Sequence, residues 1–356
     1  MVDSIGVIAN MNSMSYRKDK SKVKKVRNIL GNKGELIETH DKDDLVKAIQ
    51  YFLKYKPQVL YGSGGDGNLT TTGTIFRKEV QKSSDTSYNP HRAVYKDGTW
   101  NVMSKHVGNK KGDSSDYLEY IVKTELEDLA TVDVGEMKVS DDRGKVTYGF
   151  SFGFGMPITL LEEAYKAKYL KAVRVVQVIA QLLGSAAMYG EYYKKFAEKK
   201  TYKLTNGNGK TEEVELLGLM AQTIPCVGLP WSNIFYKAHD TDKFHVLGAK
   251  HDILELTALA PVLYFGKTNF LKRDLLFNEL DVKSVLSLLP ALYTKNNDLF
   301  SHDKLIDKQT DNYNITSEEP YRYTMNGDLA FMDDPYIANS TTIEGGNKTK
   351  IIKFLG

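Results

Sequence analysis

The chain has one cysteine, no long apolar run and no excess of charge of either sign. The lone Cys226 excludes an intramolecular disulfide and fits a reducing compartment. The longest apolar span without formal charge, Val175 to Gly190, carries Gln177 and Gln181 and is shorter than the roughly 20 residues of a spanning helix. The amino end, MVDSIGVIANMN, lacks the basic start and extended apolar stretch of an export signal. A cytoplasmic protein is therefore expected. Basic and acidic residues number 48 and 45, a formal charge of +3, which gives no broad electrostatic case for nucleic acid. Hydrophobic residues at 41% and charged residues at 26% of 356 place the chain among globular proteins and outside the disordered and fibrous classes. The length suits two domains.

The first hundred residues alternate strand-like and helix-like patterns, as a parallel sheet with crossover helices does. Ser4 to Asn10 reads as a strand, Lys20 to Leu30 as a helix, Glu35 to Thr39 as a second strand and Asp43 to Tyr55 as a second helix capped by Asp41. Pro57 ends that helix, and the strand Gln58 to Tyr61 runs into GSGGDGN at Gly62 to Asn68. Glu79 to Pro90 and Gly108 to Ser115 read as surface loops, and Tyr117 to Leu126 as helical. After about residue 130 the stretch VDVGEMKVSDDRGKVTYGFSFGFG alternates apolar and polar residues around a DDRG turn, the pattern of antiparallel strands. Glu162 to Lys199 reads as a long helical insert, Asn206-Gly207 as a hairpin turn, YRYTMNGDLAF as a strand, and Thr294 to Glu319 as polar enough for a mobile loop.

The predicted fold is therefore α/β plus β-rich. A Rossmann-like domain over residues 1–130 is followed by a β-sandwich-like domain over 131–356 with an inserted helical segment, its C-terminal residues packing back on the first domain.

The chemistry concentrates at GGDG, Gly64 to Gly67, between a strand and the threonine-rich start of a helix. Glycines there let backbone N–H groups approach phosphate oxygens, and the helix start adds favourable partial charge. The lysine of GxxxxGK[ST] is absent, and the spacing does not fit GxGxxG. A tight strand-to-helix connection is the plain alternative. Asp66 adds to the signal, because a carboxylate inside an anion-binding loop is costly unless it holds a metal or accepts a proton; capping the helix is its structural alternative.

The succession IGVIAN, Thr39, GSGGDGN and DGTWN resembles the catalytic domain shared by diacylglycerol, sphingosine and ceramide kinases, which is distantly similar to NAD kinases. SFGFGMPITLLEEAYK and YLKAVRVVQVIAQLLGSAAMYGEYY resemble the strand and substrate-side helix that follow, and YRYTMNGDLAF stands where the family has an Asp-Gly-Glu segment. The resemblance implies an ATP- and Mg2+-dependent lipid kinase of phospholipid metabolism, acting on a diacylglycerol- or sphingoid-type lipid alcohol. Its partners would be the lipid substrate and, transiently, a membrane surface, with no nucleic acid; it allows a homodimer and a peripheral membrane location.

Carried over by position, the resemblance implies that Asn10 and Thr39 contact the nucleotide and that Gly64, Gly65, Gly67 and Asn68 hold its phosphates. Gly98, Thr99 and Asn101 shape the adjacent edge. Asp66 and Asp328 are the implied catalytic carboxylates, and Asp66, Asn326 and Asp328 the implied metal set. Phosphoryl transfer needs mainly alignment and charge neutralisation, which such a set supplies. The chain departs from the pattern at Asn68, where the family has threonine, at Thr70-Thr71 in place of Asn-Glu, and at Asn326-Gly327-Asp328 in place of Asp-Gly-Glu. A member that binds lipid or nucleotide without turnover, and a soluble-substrate kinase of the NAD kinase type, are the rival expectations.

Other constellations carry less. His245 and His251 lack the ligand spacing of a zinc site and read as satisfied surface histidines. Asp240 and Asp242 open like a calcium loop but lack its glycine and glutamate, so a solvated turn is expected. Cys226 reads as a buried thiol. The basic cluster Arg17 to Arg27 reads as a solvated helix face, with anionic lipid as its alternative partner.

Overall fold

The structure, a computed structural model, describes residues 4–63, 66–94, 101–109, 113–166, 177–178, 181–182, 184–185, 190–225, 235, 237–250, 305–326 and 336–355. The chain divides into two compact units. One comprises Met1–Lys138, Val146–Phe150 and Gly346–Gly356, and the other Val139–Lys145 and Ser151–Gly345.

The first unit begins with β1 (Ile5–Asn10), α1 (Met14–Lys18), α2 (Ser21–Leu30), β2 (Gly34–Thr39), α3 (Lys42–Tyr55) and β3 (Val59–Ser63). It continues with α4 (Asp66–Lys82), β4 (His91–Val94), α5 (Val102–His106), α6 (Ser114–Lys123), the first part of β5 (Thr131–Asp141), and β6 (Val146–Gly149). β1 to β4 are parallel, in the order β4-β3-β1-β2. β1 is apolar along its length because both faces are covered. Ile5, Val7 and Ala9 pack with Val26, Leu30, Tyr117 and Ile121, while Ile8 packs with Ile49, Phe52 and Phe76. α3 forms because Leu45, Ile49 and Phe52 share its buried face and the Asp41 carboxylate accepts the Asp44 N–H at 2.8 Å. α6 starts at Ser114, earlier than expected, because Asp113 and Asp116 make a reciprocal capping box.

The chain's last described segment returns to this unit. Ile351 and Ile352 pair in parallel with Arg92 and Ala93 of β4, and the Tyr117 hydroxyl donates to Ile352 O at 2.6 Å. Phe354 lies edge-on to Tyr117 and Tyr120.

The second unit carries β7 (Ser151–Gly155), α7 (Met156–Tyr165), α8 (Glu191–Ala197), β8 (Lys200–Asn206), β9 (Thr211–Leu216) and β10 (Gly218–Gln222). β11 (Phe244–Ala249), β12 (Leu305–Thr310), β13 (Asn312–Met325) and β14 (Ile337–Ile352) follow, β14 running on into the first unit. Antiparallel pairing joins β12 to β11, β11 to β10, β10 to β7 and β7 to β13. β14 pairs with β13 on both sides of an irregularity between Thr316 and Tyr321, while β8 pairs with its first half and β7 with its second. One long strand thus serves two sets of partners, and Phe152, Phe154, Tyr202, Tyr321 and Tyr323 fill the interior beside it.

Four expectations change. The loop expected from Glu79 begins only after Lys82, because α4 continues that far with Ile75, Phe76 and Val80 on its buried face. Within the polar stretch Thr294 to Glu319, residues 305–310 and 312–316 are paired β-strand and 317–319 continue β13, since Ile306, Tyr313 and Ile315 alternate inward under polar neighbours; residues 294–304 lie outside the described residues. The hairpin at Asn206 exists, but its left-handed residue is Gly209, at φ +75°, and Asn206 Oδ1 accepts the N–H groups of Asn208 and Lys210. His245 is buried rather than at the surface: it stands within hydrogen-bond distance of Asp307 Oδ1 through Nε2, at 2.7 Å, while Nδ1 accepts the Lys237 N–H.

Asp240 and Asp242 do form a turn, with the Asp242 N–H donating to Asp240 Oδ1. His251, Cys226 and much of the middle of the long helical insert lie outside the described residues. Among the described residues, no helix is long and apolar enough to cross a membrane.

Candidate active site

In an open parallel sheet, ligands bind beyond the carboxyl ends of the strands, where the strand order reverses. The chain passes from β1 to β2 on one side and then to β3 on the other, so the reversal lies between β1 and β3. Asn10 ends β1 opposite Thr39, which ends β2. Ser63 ends β3 opposite Ala9. The GGDG segment follows Ser63 at once, and α4 begins at Asp66.

Side chains fasten this junction. Asn10 Nδ2 donates to Asn68 Oδ1 at 3.2 Å, and Asn68 Nδ2 donates to Ser63 O at 3.3 Å. Asn10 Oδ1 accepts the Asn12 N–H at 2.9 Å. Both amides therefore work as ties that hold the first turn of α4 to the ends of β1 and β3. Thr39 is buried and its hydroxyl donates to Ala9 O, so its contribution is to strand registration as well. Two amides facing each other satisfy donor and acceptor at once, a complementarity that threonine at 68 would not provide in the same form.

The described chain resumes after β4 at Asn101, the N-cap residue of α5, in the left-handed region at φ +50°. Asn109 anchors this segment and was not singled out from sequence. Its Nδ2 donates to Val94 O at 2.8 Å and to Ser104 Oγ at 3.1 Å, and its Oδ1 accepts the Phe354 N–H. An asparagine in a polar KHVGNKK context gives no signal of this role in sequence.

Beneath α4 lies a buried ion triad that the sequence also concealed. Glu136 of β5 accepts from Arg77 Nε at 2.9 Å and from Arg92 Nη1 at 3.1 Å, with Glu136 and Arg92 almost wholly buried. Burial opposes the Glu136 charge, yet the two guanidiniums outweigh it and hold the carboxyl below its ordinary range. For Arg92, burial dominates and lowers the guanidinium from its usual value. Gly73 makes room for the triad: a Cβ there would stand 3.1 Å from Arg92 Nη1 and 3.3 Å from Glu136 Oε1. Next to it, Thr74 Oγ1 accepts the Tyr148 N–H and donates to Tyr148 O, so α4 is tied to β6 as well.

In the second unit, Asn326 takes φ +49°, its Oδ1 accepts the Ser151 N–H at 2.8 Å and its own N–H donates to Ser151 O at 2.7 Å. Of the remaining candidates, Gly64, Gly65, Gly98, Thr99, Gly327 and Asp328 lie outside the described residues, and of Asp66 and Gly67 only the helical backbone is described. Among the described residues, no group of three or more His, Cys, Asp or Glu side chains could hold a metal ion.

The first unit is thus an α/β fold with a helix start at its strand-order reversal, an arrangement suited to an anionic ligand. Protein-family models give no match to the sequence, and neither do curated proteins. Solved structures do match over nearly the whole chain. A Bacillus anthracis str. Sterne diacylglycerol kinase structure aligns with a TM-score of 0.56 at 12% identity, covering 99% of this chain and 97% of that one. Two further structures from the same organism, assigned as diacylglycerol kinases, align with TM-scores of 0.60 at 14% and 16% identity, each over 99% of this chain and 98% and 97% of theirs. The chain shares its fold with these structures.

Proposed function

We propose that the protein transfers the γ-phosphoryl group of ATP to a hydroxyl of a diacylglycerol- or sphingoid-type lipid. The observation that carries this reading is GGDG between β3 and α4 at the strand-order reversal, fastened by Asn10 and Asn68. The residues present fit a phosphate chain: glycines carry no Cβ to obstruct it, and the first-turn amides of α4 have no intrahelical acceptor. The likeness in fold to Bacillus anthracis structures assigned as diacylglycerol kinases supports the lipid acceptor.

In this reading the backbone of Gly64, Gly65 and Gly67 holds the phosphates, and Asn10, Thr39, Asn68, Gly98, Thr99 and Asn101 frame the nucleotide. The Asp66 carboxylate serves the acceptor hydroxyl, and Asp66, Asn326 and Asp328 are the proposed magnesium set. Magnesium, when bound, neutralises charge on the phosphates. Labelled ATP with magnesium and a panel of lipid alcohols tests the reading. Asp66→Asn should lower transfer by about 10²- to 10⁴-fold without shifting Tm; transfer unaffected by that change removes Asp66 from the mechanism.

A second reading, binding without turnover, is favoured by Asn326. Where the resembling kinases have a carboxylate, this amide is engaged with the Ser151 backbone. ATP at about a hundred times its Kd should stabilise the protein by about 2.7 kcal/mol in either case. Stabilisation with no transfer to any lipid alcohol identifies this second function, and NAD in the acceptor panel separates a soluble-substrate kinase.

A further inference from the structure

We propose that the exposed basic face of α1 and α2 docks the protein on an anionic membrane surface, an inference that rests on the lipid-acceptor reading above. Residues 17–27 hold Arg17, Lys18, Lys20, Lys22, Lys24, Lys25 and Arg27 against the single Asp19, a local charge of +6. The whole chain carries only +3, so everything outside this segment is net negative, at −3. Such a charge distribution orients a protein: an anionic plane attracts this segment and repels the remainder.

The fold presents these charges outward. Val26 and Leu30 are the buried side of α2, packed among Tyr16, Tyr117, Leu118 and Ile121. Lys20, Lys24 and Arg27 recur at i, i+4 and i+7 on the solvent side, and all three are exposed. The pairs that form, Lys25 with Asp113 at 3.4 Å and Arg27 with Glu38 at 3.0 Å, are solvent-exposed and weakly held. Asp19 is occupied locally by the Ser21 N–H and hydroxyl. Arg17, Lys18, Lys20 and Lys24 have no carboxylate at ion-pair distance among the described residues. The half-buried apolar residues of α2, Val23 and Ile29, pack against the core, so attachment is electrostatic, without an inserted apolar wedge. Long-chain lipid alcohols reside in bilayers, and a kinase that takes them must lie on that surface. This favours a membrane over a nucleic acid as the anion.

The test is co-sedimentation with vesicles of phosphatidylcholine alone, or with about a third phosphatidylserine. The wild type should bind only the anionic vesicles and release at high salt. A variant combining Arg17→Gln, Lys18→Gln, Lys20→Gln and Lys24→Gln should lose about 600-fold in partitioning, at about fivefold per residue. Its Tm and its phosphoryl transfer in neutral detergent micelles should match the wild type. Equal vesicle binding by variant and wild type overturns the proposal, as does wild-type binding indifferent to phosphatidylserine. Displacement of the wild type from vesicles by single-stranded nucleic acid, with the four residues governing that affinity instead, also overturns it. If vesicle binding behaves as expected and neither protein transfers phosphate in micelles, the docking surface stands and the lipid-kinase reading falls.

Discussion

The Asn10 side-chain amide donates to Asn68 Oδ1 at 3.2 Å, joining the end of β1 to the first turn of α4 across 58 positions of sequence. Asn68 also holds Ser63 O, so the first turn of α4 is tied to the ends of both β1 and β3. Asn10→Ala and Asn68→Ala should each raise the Kd for ATP by about 2- to 13-fold, the loss of one hydrogen bond's net contribution. The double variant should be little worse than either, with a coupling of about 0.5–1.5 kcal/mol in a double-mutant cycle on ATP binding. Additive losses would show that the two amides act independently.

Glu136 pairs with two guanidiniums in a buried site, so Glu136→Gln should cost about 3–5 kcal/mol in urea unfolding at pH 7. The folded carboxyl titrates below its ordinary unfolded value, near 4.3, so its contribution is complete above that pH and disappears as acid carries the solution through the lowered folded value. The wild type should lose stability over this acid window, and the variant should lack that part of the slope.

Gly73→Ala opposes two effects. Alanine gains about 1 kcal/mol in helix propensity, but its Cβ meets an Arg92 guanidinium that the ion triad prevents from yielding. Overpacking of this kind costs about 1–3 kcal/mol, so the net change in thermal melting should be a loss of about 1 kcal/mol. Combined with Arg92→Ala the steric cost should vanish, leaving alanine at 73 neutral or stabilising relative to glycine.

Phe354→Ala removes a buried ring packed against Tyr117 and Tyr120 and should destabilise the first unit by about 3–5 kcal/mol. ATP should restore part of the lost Tm if the nucleotide binds this unit, which differential scanning calorimetry reads directly.

The elements legible in the sequence were those whose signal is local. β1, α3 and β3 announced themselves by apolar runs, helical spacing, an aspartate cap and Pro57, and each stands within two residues of its expected bounds. What escaped was set by distant partners. α4 outran its expected end because Val80 finds Ile8 and Leu60 beneath it, and polar Asn312 to Glu319 is strand because β8 and β14 flank it. At the site, GGDG was visible as a motif, whereas the pairing of Asn10 with Asn68 depends on side-chain geometry across the sheet. The Arg77–Glu136–Arg92 triad and the anchoring by Asn109 were hidden for the same reason: ordinary polar residues acquire their roles from what the fold places beside them.

The return of Ile351, Ile352 and Phe354 to β4 and α6 fixes an order of events during synthesis. While those residues are still inside the ribosomal tunnel, the amino-terminal sheet lacks one of its strands and the aromatic rings of α6 lack their cover. The first residues made are thus among the last to reach their final packing. A stalled or truncated nascent chain would display exposed apolar surface to chaperones and proteases.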